Sequence, residues 1–257
     1  MSESFFEPLG DERWRATEHT VGPWDARAQH GGPPSALLGR AIELCKPRDD
    51  MIFSRFTCEI LGPVPVGEVL VEARVVRPGR SVEMVEAVLS GGGRAAASAR
   101  AWRVLRTEGP SVPADPVLPP GLPSRPMART PDGWVDGYLS AIEWRPVSGD
   151  FGVPGPATVW SRMRYPLVPG EEPTPLQRVL MVADSGNGLA NELDIRKWQF
   201  INPELTVHLH RDAVGEWICL AAWTTISTGG AGLAASVLSD RDGAIGSGAQ
   251  SLLVTPR

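Results

Sequence analysis

The chain has 257 residues, 42% apolar and 21% charged, enough apolar surface to bury a sizeable core and to exclude disorder over most of its length. Its 25 Lys and Arg against 30 Asp and Glu give a formal charge of −5, the wrong sign for a main partner of nucleic acid. No apolar run approaches the roughly 18 residues of a membrane span, and the start MSESFFEPLGDER lacks the basic and apolar stretches of a secretory signal. Cys45, Cys58 and Cys219 are too few and too scattered for a disulfide frame or a zinc site. The expectation is a soluble cytoplasmic protein that needs neither metal nor cofactor.

The first strong element is HGGPPSALLGRAIELCK. Its Gly-Pro start, and apolar Leu37, Leu38, Ala41, Ile42 and Cys45 at near-helical spacing, predict a helix. Strand-like runs follow at residues 52–61, 68–76, 82–89 and 95–105, punctuated by Gly62-Pro63, Pro78-Gly79 and the glycines at 91–93. The 23 residues 109–131 hold eight prolines, which fix φ and cannot donate to a ladder, so an extended linker is predicted there. It divides the chain into residues 1–108 and 132–257. The second part repeats the plan, with a helix predicted over 174–193 and strands over 205–210, 217–226, 233–238 and 244–253. One helix against a meander of strands, present twice, is an α+β layout.

The two parts also resemble each other residue by residue. At an offset of 149, LLGRAIEL at 37–44 falls on GNGLANEL at 186–193, Phe56-Thr57-Cys58 on Leu205-Thr206-Val207, and Val88-Leu89-Ser90 on Val237-Leu238-Ser239. At 148, Val66-Gly67-Glu68 falls on Val214-Gly215-Glu216. Four ordered matches at nearly constant offset argue for an internal duplication.

Four segments suggest a family: His30-Gly31-Gly32-Pro33-Pro34, Ala183-Asp184-Ser185, the run from Phe200 to Val207, and Gly248-Ala249-Gln250. Together they resemble the double-hotdog acyl-CoA thioesterases, the thioesterase II-like family, over nearly the whole chain except the Pro-rich linker. The resemblance implies a tandem hotdog, two long helices each wrapped by an antiparallel sheet. It implies metal-free hydrolysis of an acyl-CoA thioester by a water that Asp, Thr and Gln activate. Asp184 and Gln250 match the first and last of these; Asn202 stands where the family has Thr. The family also allows a homodimer of such chains.

The duplication gives an independent argument. The counterparts of Asp184, Asn202 and Gln250 are Ser35, Phe53 and Ala101, and those of His30-Gly31-Gly32 are Val179, Leu180 and Met181. Such asymmetry fits one composite site, with a Gly-rich helix start from the first half and a polar trio from the second. Asp184, on an apolar helical stripe with Leu176 and Val179, would be a partly desolvated general base. Asn202 and Gln250 would orient the water, and the N–H groups of Gly31 and Gly32 would receive the oxyanion. His30 would shape the Gly-rich start or line the pocket. Asn202 lies on the opposite strand face from Leu205, Val207 and Leu209, so a bulge at Pro203 is required.

Other chemistries find less. There is no GxSxG, Gly186-Asn187-Gly188 lies inside a predicted helix, and His208 with His210 lacks a third ligand. A hydratase would need Asp and His where Phe200 and Leu205 stand. The tryptophans, Trp14, Trp24, Trp198, Trp217 and Trp223 among them, are expected in core and pocket walls. A hotdog protein that binds an acyl thioester or lipid-like ligand without turnover remains the alternative of a different class.

Overall fold

The computed structural model describes residues 2–23, 25–112, 118–127 and 136–257. The hairpin β1 (Phe6–Gly10) and β2 (Arg13–Ala16) precedes α1 (Gly32–Leu44). Then come β3 (Met51–Ile60), β4 (Glu68–Arg77), β5 (Val82–Gly91) and β6 (Arg94–Leu105). After the short α2 (Tyr138–Ala141), a second hairpin, β7 (Ile142–Asp150) and β8 (Val153–Met163), leads to α3 (Pro175–Ala183) and the one-turn α4 (Gly186–Leu189). The chain ends with β9 (Trp198–Ile201), β10 (Glu204–Leu209), β11 (Ile218–Ile226), β12 (Ala231–Asp240) and β13 (Gly243–Pro256).

The described strands form one antiparallel sheet in the order β1-β2-β4-β5-β6-β3-β10-β13-β12-β11-β8-β7, with β9 added on β13. Read from its centre outward the order repeats in both directions, so each strand of one half has a counterpart in the other. At the seam, β3 pairs with β10 and Thr57 lies opposite Thr206, two positions 149 apart. The helices obey the same relation: a Cβ on Gly32 would meet the carbonyl of Met181, also 149 residues on. A pseudo-two-fold axis therefore passes between α1 and α3 and through the seam of the sheet.

Both helices pack against the sheet, and they touch through small residues. A Cβ on Gly39 would come within 2.6 Å of Leu180 Cδ1. Residues Gly32 to Gly39 are all buried, because one side of α1 meets the sheet and another meets α3. At the far end of the pair, Thr174 caps α3 in a reciprocal capping box with Gln177. Thr174 Oγ1 and Gln177 Nε2 each donate to the Glu43 carboxylate of α1 at 2.7 Å. An acidic group at a helix N-terminus is favourable.

The second helix differs from expectation. It does not run over 174–193; α3 ends at Ala183, a turn intervenes at Asp184-Ser185, and α4 adds only one further turn. Tertiary groups take the main-chain hydrogen bonds there. The Tyr138 hydroxyl donates to the Met181 carbonyl at 2.8 Å and bonds Ser185 Oγ at 2.8 Å, while the Ser185 N–H turns to Val182. Two long wrapped helices are thus one 13-residue helix and one broken one.

The hairpins β1–β2 and β7–β8 have no counterpart among the predicted elements. In β8, Pro154 and Pro156 lie beyond the ladder with β11, which begins at Ala157. Proline is tolerated in such edge positions, and there it hides the strand signal. Of the predicted linker, residues 113–117 and 128–131 lie outside the described residues. Residues 118–127 form neither helix nor strand but are tied to the second hairpin. The Pro120 and Pro123 carbonyls accept from Trp160 Nε1 and Arg145, both at 3.0 Å. No helix among the described residues is long and apolar enough to cross a membrane.

Candidate active site

The break in the second helix places Asp184 at the C-cap of α3, 7% exposed, against the start of α1. Two amides hold one of its oxygens: Asn202 Nδ2 donates to Oδ1 at 2.8 Å and Gln250 Nε2 at 3.0 Å. Oδ2 lies 3.4 Å from His30 Nδ1 and accepts from no donor among the described residues. A Cβ on Gly31 would sit 2.5 Å from Oδ2, so only glycine lets the carboxylate approach the helix start this closely. The structure brings His30 and Gly31 from the first half against Asp184, Asn202 and Gln250 from the second.

Gln250 reaches the site from β13 and is 2% exposed. Besides Asp184 Oδ1, its Nε2 donates to the Asp184 carbonyl, and its Oε1 accepts the Asn187 N–H at 2.9 Å. One side-chain amide thus bridges the gap between α3 and α4. Gln250 holds both the carboxylate and the broken helix. Gln250→Met leaves the Asn187 N–H and the Asp184 carbonyl without these partners, at about 1–3 kcal/mol each. A urea midpoint lowered accordingly, together with lost activity, is the expected result; an unchanged midpoint would contradict this bridge.

Asn202 reaches Asp184 because the strand is interrupted. Ile201 pairs with Leu253, but Thr206 pairs with Ala249, so five steps on one strand match four on β13. The extra residue falls at Asn202-Pro203, between β9 and β10, and supplies the bulge that face parity required. Asn202 Nδ2 is used by Asp184 and the Glu204 carbonyl, while Oδ1 bonds no protein donor among the described residues.

The Gly-rich start divides its roles. The Gly32 N–H donates to His30 Nδ1 at 3.0 Å, and the Cβ-less face of Gly32 presses on the Met181 carbonyl. Gly32 is therefore a packing glycine whose N–H is already taken, which corrects the expectation of an oxyanion donor. The Gly31 N–H has no protein acceptor among the described residues. Because Nδ1 accepts, the His30 proton is assigned to Nε2, which has no protein partner among the described residues. The ring stacks on Tyr138 at 3.8 Å and 9°.

Burial pushes the His30 pKa below its ordinary value of 6.5, with Asp184 opposing. The unfolded chain binds the proton that the fold refuses, so stability falls as pH drops below about 6.5. By pH 5.5 the loss from this group reaches at most about 1.4 kcal/mol. Urea melts at pH 7.5 and 5.5 should show a smaller loss in His30→Asn, whose amide oxygen can still accept from Gly32; equal losses would refute this assignment.

His30, Gly31, Asp184 and Asn202 line one cavity between the halves. Its walls are mostly apolar, with Pro34, Ile60, Val64, Ala97, Leu139 and Phe151 prominent. Burial pushes the Cys58 thiol up to about 12, so it serves as a protonated wall rather than a nucleophile. No tryptophan among the described residues lines this cavity: Trp217 lies under Arg145 and Arg162, Trp223 is 44% exposed, and Trp24 lies outside the described residues. The pseudo-axis relates this site to Ser35, Phe53, Ala101 and Leu180, a position filled by core packing.

Sequence reasoning missed Tyr138 and Asn187. Tyr138 is one of two tyrosines, and that rarity was its only local signal. Asn187 sat inside a helix predicted to be continuous.

A curved sheet carrying its helices on one face, with a carboxylate cavity at the seam, is the hot dog arrangement. The chain superimposes on a conserved hot dog fold protein from Alicyclobacillus acidocaldarius with a TM-score of 0.74, at 16% identity, over 97% of this chain and 95% of that one. It is similar to the TesB protein of Mycobacterium avium subsp. paratuberculosis (TM-score 0.69, 17% identity, 98% and 96% covered). It is also similar to an acyl-CoA thioesterase II from Mycobacterium marinum (0.68, 16%, 98% and 95%). No curated protein sequence matches the chain. The acyl-CoA thioesterase N-terminal domain profile matches residues 20–104 and the C-terminal domain profile matches 119–254. The chain belongs to the acyl-CoA thioesterase family and is a thioester hydrolase.

Proposed function

We propose that the protein hydrolyses acyl-CoA in the cytoplasm by water attack assisted by Asp184, within two hot dog halves at residues 1–108 and 132–257 joined by the Pro-rich segment 109–131. The observation that carries this is the asymmetry of the carboxylate: two amides hold Oδ1, and no donor among the described residues reaches Oδ2. A water at Oδ2 gives up a proton to it as its oxygen bonds to the thioester carbon. Asn202 Oδ1 accepts the water's second hydrogen. Negative charge developing on the carbonyl oxygen meets the Gly31 N–H and His30 Nε2–H, donors typically worth roughly 3 kcal/mol each. The C–S bond then breaks, and the proton passes from Asp184 to the departing sulfur.

Asn202 in place of Thr was the ground for a non-catalytic binder of acyl thioesters. Its bond to Asp184, and an Oδ1 that no donor among the described residues occupies, support the hydrolase instead. Thiol release from short, medium and long acyl-CoAs tests the reading. Turnover of at least one chain length is expected; saturable binding without turnover of any would favour the binder.

Homodimer formation is part of the proposal. On the outer sheet face, the first half carries the ion-paired row Arg74–Glu86–Arg100, whereas the equivalent second-half row is Trp223–Ala235–Ala249. Leu233 and Leu253 beside it are 47% and 51% exposed. A second copy stacked on this uncharged row would cover them. Light scattering should give twice the chain mass, reduced to one by Trp223→Arg; a wild-type monomer at tens of micromolar would rule this out.

A further inference from the structure

Four buried side-chain polar atoms among the described residues have no hydrogen-bond partner: Gln29 Oε1, Arg55 Nε, Asn187 Oδ1 and Thr224 Oγ1. Two of the four are amide oxygens, and both belong to residues lining the cavity of Asp184. Gln29 is 8% exposed and Asn187 5%. Their orientations are pinned from the other side of each amide. Gln29 Nε2 donates to the Pro65 carbonyl at 2.8 Å, and Asn187 Nδ2 to the Phe200 carbonyl at 3.2 Å. Reversing either amide would set oxygen against oxygen. Each acceptor therefore stays an acceptor, and a buried acceptor without a donor is unfavourable enough to need a reason.

The two residues flank the reacting groups along the chain. Gln29 precedes His30 and Gly31, and the Asn187 N–H is bonded to Gln250, which holds Asp184. A ligand donor satisfying both must belong to the part of the substrate close to the thioester. The acyl chain has no N–H, and neither the thioester carbonyl nor its sulfur can donate. The carrier arm of an acyl-CoA does: it has two amide N–H groups, the nearer separated from sulfur by two methylenes.

Building on the hydrolase reading, we propose that Gln29 and Asn187 are the acceptors for amide N–H groups of the thioester's carrier arm. The arm then lies along the part of the cavity that holds these two amides. Recognition by acceptors makes the arm part of specificity: a site built around hydrogen bonds rejects an otherwise similar arm that lacks the donor.

The test compares two acyl thioesters with the same acyl group, one on pantetheine and one on its analogue in which ester oxygens replace both amide N–H groups. Non-hydrolysable thioethers with the same two arms are titrated for binding alongside, so arm recognition is read even if neither thioester turns over. Such an absence would count against the hydrolase reading alone. Wild type should prefer the amide arm by about tenfold or more in kcat/KM and in Kd. Gln29→Met and Asn187→Leu should each reduce that preference, chiefly by weakening the amide-arm ligand. Unchanged affinity of both variants for the ester-arm thioether, with urea midpoints read alongside, separates a lost hydrogen bond from a disturbed fold. Equal use and equal binding of both arms by wild type overturns the proposal, as does full wild-type preference in either apolar variant.

Discussion

Asp184→Asn should lower kcat for acyl-CoA hydrolysis by roughly 10³-fold, the scale of a lost general base, while leaving the fold in place. The reason lies in the two oxygens of the side chain. Oδ1 accepts from Asn202 and Gln250, and an asparagine oxygen can keep both bonds. The amide nitrogen then occupies the place of Oδ2, where it cannot take a proton from water. The thermal midpoint should stay within about 3 °C of wild type, as surface-scale changes in stability do. Thiol release and a melting curve on the same preparation test both parts. Activity within tenfold of wild type would remove Asp184 from the mechanism even if the function stands.

Gly31→Ala and Gly32→Ala are adjacent and chemically identical changes with opposite expected outcomes. At Gly31 the new methyl would sit 2.5 Å from Oδ2 and 2.8 Å from Cγ of Asp184. That carboxylate is short and held by two amides, so it can yield only by leaving its position. A displacement of about 1 Å at a reacting group reduces rate on the order of 10²-fold, and the overpacking destabilises the fold by about 1–3 kcal/mol. At Gly32 the methyl would lie 2.1 Å from the Met181 carbonyl, which is backbone and already accepts from Tyr138. The helices must part, at about 3 kcal/mol or more. Urea melts and thiol release on both variants should give a folded, nearly inactive Gly31→Ala and an unstable or insoluble Gly32→Ala. A fully active Gly31→Ala would mean that the carboxylate need not stand against the helix start.

How far the sequence alone determined this protein depends on the range of the interactions involved. The strands of both meanders were legible because alternation and turn residues act locally: the run predicted over 68–76 is β4 from Glu68 to Arg77. The internal offset of 149 carried long-range information of an unusual kind, since it anticipated a sheet whose strand order repeats outward from Thr57 and Thr206. It also singled out Asp184, Asn202 and Gln250 as departures from symmetry, and these three meet in space. What the sequence could not determine was which atoms those groups would satisfy. Gln250 reads as a water-binding amide in one dimension, but the tertiary structure closes it on Asp184 and Asn187 across a helix break. The break itself depends on Tyr138, 46 residues before Asp184, taking a main-chain carbonyl that periodicity assigns to the helix. Gly31 and Gly32 look interchangeable as letters; only the approach of α3 makes one a neighbour of the carboxylate and the other a contact between helices. Hydrogen-bond partners at a crowded crossing are decided by distance in space, and no local pattern records them.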